Sequence, residues 1–168
     1  EGALMTFGVE SLSEETGRKL RAAGLTIACA ESCTGGLLTS VLTDVPGSSA
    51  YVMGSVVSYS NEVKNRILHV SAETLSVCGA VSEETARAMA EGIRNLMQTD
   101  LGVGITGIAG PDGGSAEKPV GLVYIAVANQ AKVTVHKNNF YGTRSENKYA
   151  AVNHALVMIQ DIIRSTYE

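Results

Sequence analysis

The sequence has no tryptophan and only two phenylalanines among its 168 residues. Its core must therefore be built mainly from aliphatic side chains, which the 45% share of hydrophobic residues can supply. No apolar run approaches the ~18 residues that a membrane-spanning helix requires. The net charge of −4 gives no electrostatic support for binding nucleic-acid phosphates or an acidic membrane surface. What is left is a globular chain whose length corresponds to one domain.

Cysteine is also scarce, and its three copies lack a paired pattern. They are Cys29, Cys33 and Cys78, an odd number without a C-x-x-C spacing. Free thiols in a reducing compartment fit this pattern better than a disulfide framework does. The amino terminus lacks the basic-then-apolar order of a signal peptide, so we expect a cytoplasmic protein. Residues 1–10 are interpreted as an N-terminal extension, in part vector-derived, and residues 11–168 as a single domain.

Signatures of metal and cofactor binding are missing as well. His69, His136 and His154 are scattered along the chain, without an H-x-x-x-H or Cys/His cluster. Neither the dinucleotide pattern G-x-G-x-x-G nor the phosphate-binding loop G-x-x-x-x-G-K-[ST] occurs. We therefore expect no metal and no cofactor.

What the chain does contain is an alternation of helical and strand patterns. Strands are predicted at 25–30, 51–60, 101–106, 120–128 and 132–140. Helices are predicted at 11–23, from the turn after residue 32 to about 43, after a cap at Asn61, at 71–78, from Ser82 through Met97, and at 144–166. The predicted caps are Ser11 or Ser13, Asn61, Ser71 and Ser82, and the buried stripe of the fifth helix is Ala86, Met89, Ala90, Ile93, Leu96 and Met97. The alternation, with one closing hairpin, predicts a three-layer α/β/α domain with a mostly parallel sheet.

The first candidate for chemistry is the stretch after the first strand. Ser32 lies where a strand turns into a helix, and a helix start favours anions. Gly35 and Gly36 allow a ligand to approach the backbone closely. The Ser32 hydroxyl is a nucleophile if a base stands beside it, and Cys33 is the rival nucleophile.

Three loops follow predicted strands, at 32–36, 59–64 and 106–114, and the carboxyl ends of parallel strands form the ligand crevice of an open α/β sheet. Lys64 in the second loop could be the base, but it must be neutral, about 3 units below a lysine's ordinary pKa near 10.4. Alternatively Tyr59 relays the proton and Lys64 stays charged. Arg144 and Lys148 are candidates for holding a phosphate, against the alternative of a solvated helix face.

Six blocks then carry a resemblance that extends over about residues 11–165. They are Ala30-Glu31-Ser32-Cys33-Thr34-Gly35-Gly36-Leu37-Leu38, Leu42-Thr43-Asp44-Val45-Pro46-Gly47-Ser48-Ser49, Tyr59-Ser60-Asn61-x-x-Lys64, Gly79-Ala80-Val81-Ser82, Thr106-Gly107-Ile108-Ala109-Gly110-Pro111 and Lys118-Pro119-Val120-Gly121. Together they resemble the C-terminal-domain family of the competence- and damage-inducible protein CinA, in its stand-alone form. The chain departs from the family pattern at Ser55, Cys78, Thr143 and Lys148.

This resemblance implies a five-stranded mixed sheet, a homo-oligomer and a nicotinamide-nucleotide amidohydrolase without metal or cofactor. The reaction it implies is hydrolysis of the carboxamide of nicotinamide mononucleotide to nicotinate mononucleotide and ammonia, in recycling of pyridine nucleotides. The implied catalytic residues are Ser32, Tyr59 and Lys64. The residues we expect to contact this small-molecule substrate are Cys33, Thr34, Gly35, Gly36, Thr106, Gly107, Ala109, Gly110 and Arg144. The departures motivate two alternatives: a non-catalytic or weakly active paralogue that binds pyridine nucleotides, or a hydrolase of another amide or ester.

Overall fold

The computed structural model describes the backbone of residues 2–168 and the side chains of residues 12–168. Its helices, in chain order, are α1 (Gly2–Ala23), α2 (Leu37–Thr43), α3 (Asn61–Arg66), α4 (Ala72–Val77), α5 (Glu83–Met97) and α6 (Arg144–Tyr167). Its strands are β1 (Ile27–Glu31), β2 (Val52–Val57), β3 (Leu101–Gly107), β4 (Leu122–Ala128) and β5 (Val133–Asn139). Within the described residues, no helix is both long and apolar enough to cross a membrane.

The strands form one mixed sheet in the order β2-β1-β3-β4-β5. β1 is parallel to β2 and β3, whereas β4 is antiparallel to β3 and β5, so four of these five strands point the same way. The predicted hairpin is confirmed, and the Asn129 side chain closes its turn by accepting the N–H groups of Ala131 and Lys132, each at 2.8 Å. Because β1 lies between two parallel neighbours, its carboxyl end opens at the middle of the parallel half of the sheet.

Helices cover both faces of the sheet, which confirms the three-layer prediction. The larger core packs α1, α2 and α6 against one face, through side chains such as Leu20, Leu38 and Leu156. α5 packs against the other face with Met89 and Ile93 among its buried residues.

Alternate glycines in β3 let α5 approach the sheet closely. A Cβ at Gly104 would lie 2.5 Å from the Ala86 carbonyl oxygen, and one at Gly102 would lie 2.3 Å from that of Ala90. Both distances are too short for any side chain, so glycine is required wherever the α5 backbone sits on β3. The large residues that alternate with these glycines, Leu101, Val103 and Ile105, belong to the core on the opposite face.

The start of the first helix differs from the prediction. α1 begins at Gly2 instead of residue 11, so Ser13 lies inside the helix and is not its cap; the side chain of Ser11 lies outside the described residues. The predicted caps Ser71 and Ser82 are confirmed, since each side chain accepts an N–H group of its helix's first turn.

Two details of the predicted helices are wrong. The cap of α3 is Ser60, whose side chain accepts the Val63 N–H, and Asn61 is the first helical residue. Leu96 does not belong to the buried stripe of α5, because 45% of its surface is exposed. The rotation of α5 that buries Met89 and Ile93 over the sheet leaves Leu96 at the edge of that stripe.

Candidate active site

Ser32 is the first residue after β1, and it is fixed by the sheet that it leaves. Its backbone N–H donates to the Ile105 carbonyl oxygen at 2.9 Å, which continues the pairing of β1 with β3 for one more residue. Only 8% of its surface is exposed. Its hydroxyl is therefore held at the carboxyl end of the parallel strands, where the sequence predicted it.

The anion at the start of α2 is the chain's own Glu31. This carboxylate is fully buried and accepts the N–H groups of Leu38 and Thr39, each at 2.9 Å. It also accepts the hydroxyl groups of Thr34 and Thr39, each at 2.7 Å. The expectation that this helix start is free for a ligand's anion is therefore wrong, because Glu31 already occupies its donors.

Lys64 meets Ser32 inside the protein. Lys64 is 1% exposed, and its Nζ lies 2.9 Å from the Ser32 Oγ. The same Nζ donates to the backbone carbonyl oxygens of Ser58 at 2.8 Å and of Tyr59 at 3.1 Å. Two side chains that stand 32 positions apart in sequence thus form a direct contact, in the geometry that a serine nucleophile and its base require.

The environment of Lys64 favours the neutral amine. Burial lowers its pKa from the ordinary 10.5, and none of the ion pairs among described side chains includes it. A neutral amine has two N–H groups, one for each of the Ser58 and Tyr59 carbonyl oxygens, and one lone pair. That lone pair then faces Ser32, where it can accept the hydroxyl proton.

Cys33 is a poor nucleophile in this setting. Burial raises the pKa of its thiol to about 12, and its side chain belongs to the hydrophobic core. The thiolate is the nucleophilic form of cysteine, so an un-ionised, packed thiol is inert. The geometry therefore favours Ser32 over the rival that the sequence offered.

Among the described residues, the Tyr59 hydroxyl bonds to Arg144 and to neither Ser32 nor Lys64. Tyr59 is 61% exposed, and its phenol oxygen accepts a hydrogen bond from Arg144 Nη2 at 3.2 Å. Its contact with Lys64 runs through the backbone carbonyl instead. Of the two mechanisms that the sequence left open, the structure favours direct proton transfer to Lys64 over a relay through the phenol.

A Tyr59→Phe variant separates these two mechanisms. The substitution keeps the backbone carbonyl and removes only the hydroxyl, so we expect kcat of the proposed reaction to fall less than about 10-fold, with the larger effect on KM. General acid–base groups typically contribute about 10²- to 10⁴-fold. Steady-state kinetics of the purified variant provide the measurement, and a kcat loss above about 100-fold would restore the relay.

A cavity of about 260 Å³ opens beside the Ser32–Lys64 contact. The loop after β3, including Asp112, forms much of its wall, and Arg144 also lines it. The predicted contact residues on this wall are Cys33, Thr106, Gly107, Ala109, Gly110 and Arg144. Sequence and structure therefore agree that loops after three parallel strands converge on one cavity.

Three predicted contact residues lie elsewhere. Within the described part of the chain, the cavity lining does not include Thr34, Gly35 or Gly36. The Thr34 hydroxyl donates to Glu31, and both glycines adopt the left-handed region, with φ of 62° and 102°. Their glycine identity is therefore explained by the turn into α2 and needs no approaching ligand.

α6 anchors the glycine-rich loop through two side chains at its start. Asn147, 1% exposed, donates to the Ala109 carbonyl oxygen at 3.0 Å. Arg144 Nη1 donates to the Gly110 carbonyl oxygen at 2.7 Å.

Sequence reasoning missed Asn147 and the role of Glu31. A carboxylate directly after a buried apolar run was the available signal for Glu31, whereas an asparagine within a helix carries no comparable one.

His136 and His154 lie together on the side of the sheet covered by α6, with Nδ1 of the first 2.9 Å from Nε2 of the second. Among the described residues, no three histidine, cysteine or acidic side chains cluster as a metal site.

Comparison with known proteins defines the class of this α/β domain. The CinA C-terminal domain family matches residues 9–163. A CinA-like protein of Gemmatimonas aurantiaca is 54% identical over 132 residues, 79% of this chain and 31% of that protein. A CinA-like protein of Endomicrobium trichonymphae is 47% identical over 154 residues, 92% of this chain and 36% of that protein.

A solved structure, titled competence/damage inducible protein CihA from Agrobacterium tumefaciens, superimposes with a TM-score of 0.89 and is 42% identical. The match covers 92% of this chain and 95% of that one. This chain belongs to the CinA C-terminal domain family. It spans 31% of the length of the first of these two curated relatives and 36% of the second.

Proposed function

We propose that the domain hydrolyses the carboxamide of nicotinamide mononucleotide to nicotinate mononucleotide and ammonia. The observation that carries the proposal is the 2.9 Å contact between Lys64 Nζ and Ser32 Oγ at the wall of a cavity. A buried amine with a lowered pKa beside a hydroxyl is the arrangement of a serine hydrolase with a lysine base. The choice of substrate follows the family resemblance of the motifs that line the cavity.

The first half of the reaction forms an ester. The Ser32 oxygen attacks the carboxamide carbon while neutral Lys64 takes the hydroxyl proton, giving a tetrahedral oxyanion and an ammonium side chain. The C–N bond then breaks, and Lys64 returns its proton to the departing nitrogen, which leaves as ammonia. The product of this half is a nicotinoyl ester on Ser32.

The second half uses water in the place of Ser32. The water oxygen attacks the ester carbon while Lys64 takes a proton from the water. Lys64 then returns that proton to the Ser32 oxygen as the ester bond breaks. Nicotinate mononucleotide leaves, and both side chains regain their starting protonation states. The overall change consumes one water and releases one ammonia.

The backbone N–H of Cys33 is the first candidate for stabilising the oxyanion. Cys33 follows the proposed nucleophile and lines the cavity. A donor on the residue after a serine nucleophile is a common component of an oxyanion hole. Losing one such donor typically costs about 10²- to 10³-fold in rate.

Arg144 is the proposed ligand of the phosphate. Two of its five N–H groups donate to Gly110 and Tyr59, which fixes the guanidinium at the rim of the cavity. Among the described residues the other three N–H groups have no hydrogen-bond acceptor, so they can donate to phosphate oxygens, and arginine suits this geometry. The glycine-rich loop from Thr106 supplies the wall for the ribose.

Self-association and a cytoplasmic location stay predictions.

The test is ammonia release from a panel of three matched carboxamides: nicotinamide mononucleotide, its dephosphorylated riboside and free nicotinamide. We expect the mononucleotide to have the highest kcat/KM, with nicotinate mononucleotide identified as product by mass spectrometry. Hydrolysis of the smaller amides alone would indicate a hydrolase of another substrate. Calorimetric binding of the mononucleotide without turnover over hours would indicate the non-catalytic paralogue.

A further inference from the structure

Glu31 is a buried carboxylate that the proposed reaction does not use, although it directly precedes the nucleophile. It is 0% exposed, and a buried charge is tolerated only when its hydrogen-bonding capacity is satisfied. Four donors meet it, two to each oxygen: the hydroxyl of Thr34 and the N–H of Leu38 to Oε1, and both groups of Thr39 to Oε2. This arrangement joins β1 to the start of α2.

The Glu31 carboxylate also holds the nucleophile turn, residues 32–36, which carries Ser32. Thr34 lies inside that turn, where the Gly35 N–H donates to the Ser32 carbonyl oxygen at 3.1 Å and the Leu37 N–H to the Thr34 carbonyl oxygen at 3.1 Å. The Thr34 hydroxyl is the one side-chain link from this turn to the Glu31 carboxylate among the described residues. The position of the residues after Ser32 therefore depends on Glu31.

The backbone of Glu31 reaches the base. Its carbonyl oxygen accepts the Ser58 N–H at 2.8 Å, and the Ser58 carbonyl oxygen in turn accepts Lys64 Nζ at 2.8 Å. Glu31 is thus connected to the Ser32 turn through its side chain. Through its backbone and Ser58, it is also connected to Lys64.

We propose that Glu31 is a positioning residue for the Ser32–Lys64 pair. Its carboxylate, which accepts four hydrogen bonds, fixes the nucleophile turn at the distance from Lys64 that proton transfer requires. The inference rests on the proposed serine mechanism but not on the identity of the substrate. A misplacement of about 1 Å in such a pair can cost about 10²-fold in rate.

Glu31→Gln is the most direct test. A carboxylate accepts at both oxygens, whereas the amide of glutamine presents one oxygen and one NH₂ group. In either orientation the NH₂ group faces a backbone N–H of α2, which loses its acceptor. We expect kcat to fall at least about 30-fold with KM changed less than about 3-fold, because the cavity wall contributed by the loop after β3 is untouched.

Thr34→Val and Thr39→Val form a matched pair, since each removes one hydroxyl bonded to the Glu31 carboxylate. Only Thr34 belongs to the nucleophile turn. We expect Thr34→Val to lower kcat about 10-fold and Thr39→Val to lower it less than about 3-fold, with similar decreases in melting temperature. If the two variants lose kcat equally, Glu31 acts through the stability of α2 alone and the proposal is overturned.

A second readout separates this proposal from the choice of substrate. A fluorophosphonate probe reports the reactivity of Ser32 without any nucleotide, through the mass of the labelled peptide. We expect Glu31→Gln and Thr34→Val to slow labelling in proportion to kcat. If the native chain is labelled at Ser32 but does not hydrolyse the mononucleotide, only the proposed substrate fails. If the Glu31→Gln chain is labelled at the native rate, or the native Ser32 is not labelled, the positioning role fails. Should Glu31→Gln fail to fold, Thr34→Val carries the same test.

Discussion

A Ser32→Ala variant is expected to release ammonia from nicotinamide mononucleotide at least about 10³-fold more slowly than the native chain. The substitution removes the attacking oxygen but keeps the backbone N–H that donates to Ile105, so the turn retains its place beside β3. Loss of the serine nucleophile of a serine protease costs about 10⁶-fold in kcat, and what activity survives there comes from binding and the oxyanion hole. Initial rates of ammonia release, with intact-mass measurement of the acyl-enzyme, test this expectation.

Cys33→Ala is the matched control for that experiment. It removes the neighbouring, intrinsically better nucleophile, whose thiol has a pKa raised to about 12 by burial. We expect its ammonia release to stay within about 5-fold of the native rate, with a small loss of stability from the missing core contact. Full activity in Ser32→Ala together with loss in Cys33→Ala would move the nucleophile one residue along and contradict the assignment.

The elements of the fold that depend on local chemistry were the most predictable. Ser71 and Ser82 could be assigned as caps because a serine before an acidic first turn satisfies helix N–H groups within a few residues. The end of β2 at Val57 could not be assigned in the same way. The last bond between β2 and β1 is the one from the Ser58 N–H to the Glu31 carbonyl oxygen. The local sequence around Val57 does not encode this bond, because the acceptor lies on another strand.

The convergence of the site was predictable from topology, but its contacts were not. Ser32 and Lys64 both follow parallel strands, so they were expected at one edge of the sheet, and the structure brings them to 2.9 Å. Which groups touch depends on side-chain directions that spacing does not give. The Tyr59 phenol therefore lies on Arg144, although its position in the motif suggested a place between the other two.

The lowered pKa of Lys64 was likewise beyond the sequence, because desolvation is set by what the folded chain places around a group. Lysine at the first turn of a short helix is ordinarily solvated. Here Lys64 is 1% exposed, and its hydrogen-bond partners, which follow β1 and β2, are uncharged. Burial without a carboxylate partner lowers the pKa of a lysine, which favours a role as a base.

Lys64→Met is expected to abolish turnover to the same extent as Ser32→Ala, at least about 10³-fold in kcat. Methionine fills a similar volume without an amine, so Ser32 loses its only direct base among the described residues. Lys64→Arg is the matched control for charge, because a guanidinium is never deprotonated in proteins. We expect it to be inactive too; substantial activity in Lys64→Arg would mean that position 64 serves as a cation, which contradicts a neutral base.

The pH dependence of the native chain follows from the same group. Because only neutral Lys64 accepts the proton, kcat/KM should rise with pH to a plateau, with a midpoint at the lowered pKa, below the ordinary 10.5. Stability should change in the same direction: between the lowered pKa and 10.5 the unfolded chain binds more protons than the folded chain, so unfolding becomes less favourable as pH rises through that window. The melting temperature of the native chain should therefore increase relative to that of Lys64→Met over this range. A native-minus-Met difference that stays flat or falls toward pH 10 would show that the pKa of Lys64 is not lowered in the folded state, and a general-base role at neutral pH would fail with it.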